Sequence, residues 1–244
     1  MRKKINYIIG KLSARFGYRL MPSYKVPQCT LGILEFGINY LNTKQSSLTI
    51  IQIGAFDGEI LDPLVGAIKD DNNQILLVEP QPGPYRSLVK RYSEYSNVTV
   101  ENSAITEKDG QIDMYLPANM ESSPKASIDE GHLKSFALDE SDIKKISVNA
   151  LSVKSLLDNH GLSGVDVLQI DTEGQDFNIL CQFLDSGVRP SIINLEILHL
   201  SKKDRLSLRG RLDDLGYQYV EYGWDIFALK TGGFDELSMK EGAE

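Results

Sequence analysis

From Thr30 onward, short apolar runs alternate with stretches of helical period. Leu48–Ile53, Gln74–Val78, Val98–Glu101, Val165–Ile170 and Ser191–Ile197 have the length and the Ile, Leu and Val content of strands. Leu31–Leu41, Leu61–Lys69, Pro84–Tyr95, Val153–Asn159, Asp176–Ser186 and Lys203–Leu215 lie between or beside them as helices, and Ser152 stands where an N-cap would open Val153–Asn159. Tyr217–Tyr222 and Ile226–Lys230 read as a closing strand pair. Such alternation predicts βαβ units around a mostly parallel sheet with helices on both faces, an α/β fold. Two stretches break the rhythm. Asp109-Gly110 is a hairpin signal ahead of an alternating strand at Gln111–Leu116. Residues 117–142 are polar, contain Ser-Ser-Pro, and read as a mobile excursion over one edge of the fold, before a short strand at Lys144–Ala150.

The N-terminus has a different pattern. Ile5, Ile8, Ile9, Leu12, Phe16 and Leu20 recur at helical spacing, with Lys4, Lys11, Arg15 and Arg19 along one flank. Residues 1–27 therefore read as a basic amphipathic helix and a linker holding Pro22 and Pro27, residues 28–236 as the main domain, and 237–244 as a tail. A basic flank beside an apolar face suits an anionic membrane surface, and equally suits packing on an acidic body or a second subunit.

The whole chain has 244 residues and a formal net charge of −8, from 26 basic and 34 acidic side chains. That balance argues against general nucleic-acid binding. Cys29 and Cys181 are isolated, so neither a disulfide framework nor a cysteine-based zinc site is supported. No apolar run approaches the roughly 20 residues that span a bilayer, and no leader pattern is visible. The expected location is cytoplasmic, with peripheral contact at the inner membrane face through residues 1–25 as an option.

In an open parallel sheet ligands sit beyond the carboxyl ends of the strands, so the residues just after each strand carry the chemistry. The first strand leads into IQIGAFDGEILDP (Ile51–Pro63), where Gly54 and Gly58 permit a sharp turn and close ligand approach, with Asp57 between them. The second ends at Glu79, 25 residues beyond Gly54, a place from which an acid can accept hydrogen bonds from both hydroxyls of a ribose. G-x-G-x-x-G is absent, and an acid in the turn would repel a pyrophosphate. A cationic nucleoside, S-adenosylmethionine, fits better. Asn102 and Ser103 after the third strand could meet its adenine. The fourth strand is followed by Asp171, Glu173 and Asp176, the fifth by Glu196 and His199. Acids converging with a histidine suggest a general base for a hydroxyl, or a divalent-cation site. His199 is the candidate base by its reference pKa, Glu196 could orient it, and Asp171, Glu173 and Glu196 would supply oxygen ligands to Mg²⁺.

Taken together these motifs resemble the FkbM family of S-adenosylmethionine-dependent methyltransferases. IQIGAFDG, Asp62-Pro63, LLVEPQP (76–82), NSAIT (102–106), DVLQIDTEGQDF (166–177) and INLEILHLS (193–201) follow one another in order between about Leu48 and Lys230. The resemblance implies a class I methyltransferase fold, a seven-stranded Rossmann-like sheet that is parallel except for its last strand. It implies methyl transfer to oxygen, often a sugar hydroxyl of a glycan, glycolipid or natural product. Gly54, Asp57, Gly58 and Glu79 carry over as cofactor contacts, followed by Asp171, Asn102 and Ser103. Glu173, Glu196 and His199 fall near the methyl acceptor. Two positions depart from the pattern: Phe56 stands where this branch has Asn, and Gln52 where other branches have Asp. The rival readings are a non-catalytic binding module in a glycan-assembly complex and an NAD-dependent sugar oxidoreductase.

Overall fold

The computed structural model describes residues 32–58, 64–134 and 139–230. The amphipathic helix expected in residues 5–20, its linker, Asp62-Pro63 and the tail lie outside the described residues.

Strand alternation divides the core in two. Along β1 (Thr49–Ile53), Ile51 and Ile53 point to one face and Ile50 to the other, as a two-residue period requires. β2 (Gln74–Val78), β7 (Val167–Ile170) and β8 (Ile192–Glu196) do the same, which explains why their sequences are nearly continuous apolar runs. One face is covered by α1 (Ile33–Asn42), α2 (Val65–Ile68) and α3 (Pro82–Arg91), through Leu34, Ile38, Ile68 and Leu88. The other is covered by α5 (Val153–Asn159), α6 (Asp176–Asp185) and α7 (Lys202–Asp214), with Phe183 fully buried at its centre. Ser152 caps α5 by accepting from the Ser155 N–H, as its position predicts.

With β3 (Val98–Glu101), β9 (Tyr217–Tyr222) and β10 (Asp225–Lys230), the main sheet has seven strands in the order β3-β2-β1-β7-β8-β10-β9. β1, β2, β3, β7 and β8 run parallel, and β10 lies antiparallel between β8 and β9. This is the class I methyltransferase arrangement. Strand order reverses between β1 and β7, so the carboxyl ends of β1, β2 and β7 form the crevice where a ligand belongs.

A second sheet of three strands joins β4 (Ala104–Ile105), β5 (Gly110–Pro117) and β6 (Ile143–Leu151) in the order β4-β6-β5. Asp109-Gly110 therefore does not make the expected hairpin. β5 pairs with β6, Gly110 opposite Ala150, and β4 runs parallel to β6. The Asp109 carboxylate is committed elsewhere: it accepts from the Ser152 N–H and the Ser155 hydroxyl at the start of α5.

The polar segment after β5 also differs from expectation. Instead of running over a sheet edge, its described part is tied to the carboxyl ends of the central strands. Gln81 and the Ser123 backbone exchange two hydrogen bonds of 3.0 and 2.9 Å, Ser127 pairs with Tyr115, and the Ser127 hydroxyl donates to the Glu173 carbonyl. The short helix α4 (Glu130–Lys134) follows, with His132 and Leu133 buried. Among the described residues no helix is long and apolar enough to cross a membrane.

Candidate active site

The turn after β1 is built on contacts that only glycine tolerates. Gly54 has φ +85°, and a Cβ there would lie 1.8 Å from the Asp171 carbonyl oxygen. The Gly54 and Ala55 N–H groups both donate to the Val78 carbonyl, which clamps β1 to β2 at their ends. Gly58, at φ +67°, closes the turn against Leu88 and Tyr92. Phe56 itself has φ +46°, a left-handed conformation that Asn accepts more readily than Phe. The residue that departs from the family pattern thus occupies the position where Asn has a conformational advantage.

Beyond these strand ends lies a cavity of about 250 Å³, lined among others by Gln52, Gly54, Glu79, Ser103, Asp171 and Glu173. Pro124, Ala126 and Ile128 of the polar segment contribute an apolar wall. Glu79 is buried and accepts from the Phe56 N–H at 3.0 Å and the Gln81 N–H at 2.8 Å, so it anchors the glycine turn while facing the cavity. Burial pushes its carboxyl up to about 7, and the two backbone donors only partly oppose this. Gln52 Oε1 is buried without a hydrogen-bond partner, an unmet acceptor beside the glycine turn.

The expected cofactor contacts divide. Ser103 lines the cavity and donates to Glu101, whereas the Asn102 amide spans the Glu79 and Pro80 carbonyls and shapes the loop. Asp57 and Gly58 belong to the turn but do not line the cavity; the Asp57 carbonyl accepts from Arg91.

Asp171 lies at the end of β7. Its side chain opens to solvent through the cavity, yet protein encloses it closely enough that burial, then Asp176, Glu173 and Asp225, hold its pKa at about 7. Water in the open cavity softens the burial contribution; the repulsion from three acids remains. Glu196 is pushed to about 8, by burial first and then by Asp171 and its acidic neighbours. Asp176 is buried and receives the Thr172 and Gly174 N–H groups at 2.8 and 3.0 Å, which folds the β7–α6 turn back on itself.

The turn presents Glu173 in a left-handed conformation, φ +55°. Its Oε2 meets His132 Nε2 at 3.0 Å and His199 Nε2 at 3.2 Å, and the two rings pack edge to face with centroids 4.5 Å apart. His199 and Glu196 do not line the cavity; Glu173 stands between the cavity and His199. Glu196 Oε2 is 4.0 Å from His199 Nε2, too far for a hydrogen bond. The acids expected to share one Mg²⁺ are sorted into two clusters, Asp171 and Glu196 with Asp176, and Glu173 with the two histidines. His132 carries no sequence signal: it sits in a short polar stretch, and only the return of that segment over the strand ends brings it to Glu173.

The raised Glu79 pKa has a stability consequence. The folded state holds this proton up to about pH 7, whereas the unfolded chain releases it near the ordinary value of 4.5. Its contribution is therefore complete below about 4.5 and is lost as pH rises through about 7. The urea midpoint is expected to fall between about pH 5 and about pH 8, and to fall less in Glu79→Gln. Equal slopes for the two proteins would show that Glu79 is not the group responsible.

A family description, "Methyltransferase FkbM domain", matches residues 52–219, well over half of the chain. No curated protein matches. Among solved structures, a methyltransferase FkbM from Methylobacillus flagellatus KT is 17% identical with a TM-score of 0.49; the alignment covers 75% of this chain and 43% of that one. A SAM dependent methyltransferase from Aquifex aeolicus is 12% identical with a TM-score of 0.38, over 78% and 86% of the two chains.

Proposed function

This chain belongs to the FkbM methyltransferase family, and from that premise we propose that it moves a methyl group from S-adenosylmethionine to a hydroxyl oxygen of a sugar-bearing acceptor. The observation that carries the reading is the set of groups around the cavity: a glycine turn with no room for a Cβ, a buried acid, an unmet amide oxygen and, on the neighbouring strand end, Asp171. These fit the cofactor part by part. Glu79, its outer lone pairs still available, would receive the ribose hydroxyls; Gln52 Oε1 would accept from the ammonium group; Gly54 lets the ligand reach the backbone. When bound, S-adenosylmethionine supplies an electrophilic methyl on a positively charged sulfur.

The chain's own task is to orient the acceptor and take its proton. Asp171 is the base we assign: it lines the cavity at the end of the central strand β7, whereas Glu173, the other candidate there, is engaged by His132 and His199. Asp171 would take the hydroxyl proton as the oxygen bonds the methyl carbon and the methyl–sulfur bond breaks, its electron pair staying on the sulfur of the departing demethylated product. Asp176, Glu173 and Asp225 lie close enough that their repulsion favours the protonated form of Asp171, which suits a group that must receive a proton. A second reading makes His199 the base with Glu173 orienting its ring, favoured by their 3.2 Å contact.

Calorimetric titration of the protein with S-adenosylmethionine and its demethylated product tests the cofactor. Micromolar binding is expected, weakened at least about 30-fold in Glu79→Ala, roughly 2 kcal/mol for losing a buried acceptor of ligand hydroxyls. A folded protein that binds neither compound would favour the non-catalytic binding module.

A further inference from the structure

We propose that His132, Glu173 and His199 form a site for one divalent transition-metal ion of the Zn²⁺ type, held by Nε2 of each imidazole and Oε2 of the carboxylate. The chain has three histidines, and two of them, from α4 and from the loop after β8, aim the same ring nitrogen at a single oxygen presented by the β7–α6 turn. All three ligand atoms lie within 4.8 Å of one another. Bonds of about 2.1 Å to one ion place neighbouring ligands about 3.0 Å apart in an octahedral shell and about 3.4 Å apart in a tetrahedral one. The observed 3.0 and 3.2 Å edges fall in that interval.

Ligand chemistry selects the ion. Two imidazoles with one carboxylate form a set suited to Zn²⁺, Co²⁺, Mn²⁺ or Fe²⁺, whereas Mg²⁺ prefers oxygen and water. Asp176 and Asp129 lie close enough to act electrostatically on the cluster in favour of a cation, with Lys125 opposing them. The site is formed by three separate chain segments, and Glu173 is held in a left-handed backbone conformation, a cost that a functional placement would offset. Glu173 also lines the cavity and neither histidine does, so an ion here would lie behind Glu173 and serve to fix its carboxylate at the cavity wall that faces the acceptor. That use rests on the methyltransferase reading. It would also make His199 a ligand, leaving proton removal to Asp171.

The test is titration of tag-free, chelator-treated full-length protein with Co²⁺, read by visible d–d absorption and by calorimetry, followed by displacement with Zn²⁺. One Co²⁺ per chain is expected, unaffected by excess Mg²⁺. His132→Gln, Glu173→Gln and His199→Gln should each weaken binding by more than the roughly 10–100-fold typical of an outer-shell change. His160→Gln, at a histidine paired with Glu101 outside the cluster, should bind as the parent does. Absence of binding by the folded parent, or binding that survives loss of either cluster histidine, would overturn the site. Circular dichroism and S-adenosylmethionine titration of the same samples keep the two proposals apart. Metal bound without cofactor leaves the site standing and removes the methyltransferase reading; cofactor bound without metal does the reverse.

Discussion

Asp171→Asn is expected to bind S-adenosylmethionine like the parent and to lose about 10²–10⁴ in turnover, the range for removing a positioned general base. Asn keeps the size of the side chain and leaves its backbone contacts in place, including the Asp171 N–H bond to the Ile53 carbonyl at 3.0 Å. It cannot take a proton. The loss should therefore appear in kcat rather than in cofactor affinity, and should not be recovered by raising acceptor concentration. If turnover falls less than about fivefold while His199→Ala loses about 10²-fold or more, the proton goes to His199 and the second reading replaces the first. The comparison is informative because the groups occupy different places: Asp171 faces the cavity, and His199 lies behind Glu173.

Gly54→Ala should be the most destabilising single-methyl addition near the site. Its Cβ would overlap the Asp171 carbonyl, with the oxygen at 1.8 Å and the carbon at 2.8 Å, and both atoms are backbone. No rotamer relieves that contact. The ends of β1 and β7 must part, or the turn must abandon φ +85°, releasing the two donors that meet the Val78 carbonyl. A cost of about 4 kcal/mol or more places this among the exceptional substitutions. For a chain of this size it lowers the melting temperature by about 10 °C, and cofactor binding is expected to disappear with the turn. Gly83→Ala is the control, since the nearest atom to its added Cβ is Ser122 at 3.8 Å. A melting temperature unchanged in Gly54→Ala would mean that the turn is not built on this close approach.

Much of the architecture was legible in the residue pattern. Gln74–Val78 appears with the bounds read from its apolar run, because a strand buried on both faces leaves a short uninterrupted signal, and the edge strand Val98–Glu101, with no buried residue, is matched through its Val and Thr content. The alternation of these runs with helical stretches sufficed for a parallel sheet, and the order of strand-end motifs sufficed for the family. Boundaries blurred where apolar period and hydrogen bonding disagree: α3 starts at Pro82 instead of Pro84, since proline in the first turn leaves no intrahelical bond unmet.

The failures share one cause. Asp109-Gly110 has the local chemistry of a hairpin, but its carboxylate accepts from the Ser152 N–H and the Ser155 hydroxyl at the start of α5, and β5 finds its partner beyond the polar segment. That segment reads as a mobile excursion over one edge because its polarity resembles that of a solvated loop. Its polar groups instead satisfy Gln81 and the Glu173 carbonyl, while its few apolar residues close the cavity.

The main sheet, the glycine turn, the acid at the end of β2 and the acids and histidine after β7 and β8 are encoded locally, each by neighbouring residues. Which of these groups meet was set by packing between distant segments. It gave Glu79 a second duty to the Phe56 N–H, placed Asp171 ahead of His199 at the cavity, divided the acids into two clusters and brought His132 to Glu173. The His132–Glu173 contact joins residues 41 positions apart through the packing of a segment with no period of its own, and local pattern contains no term for such a distance.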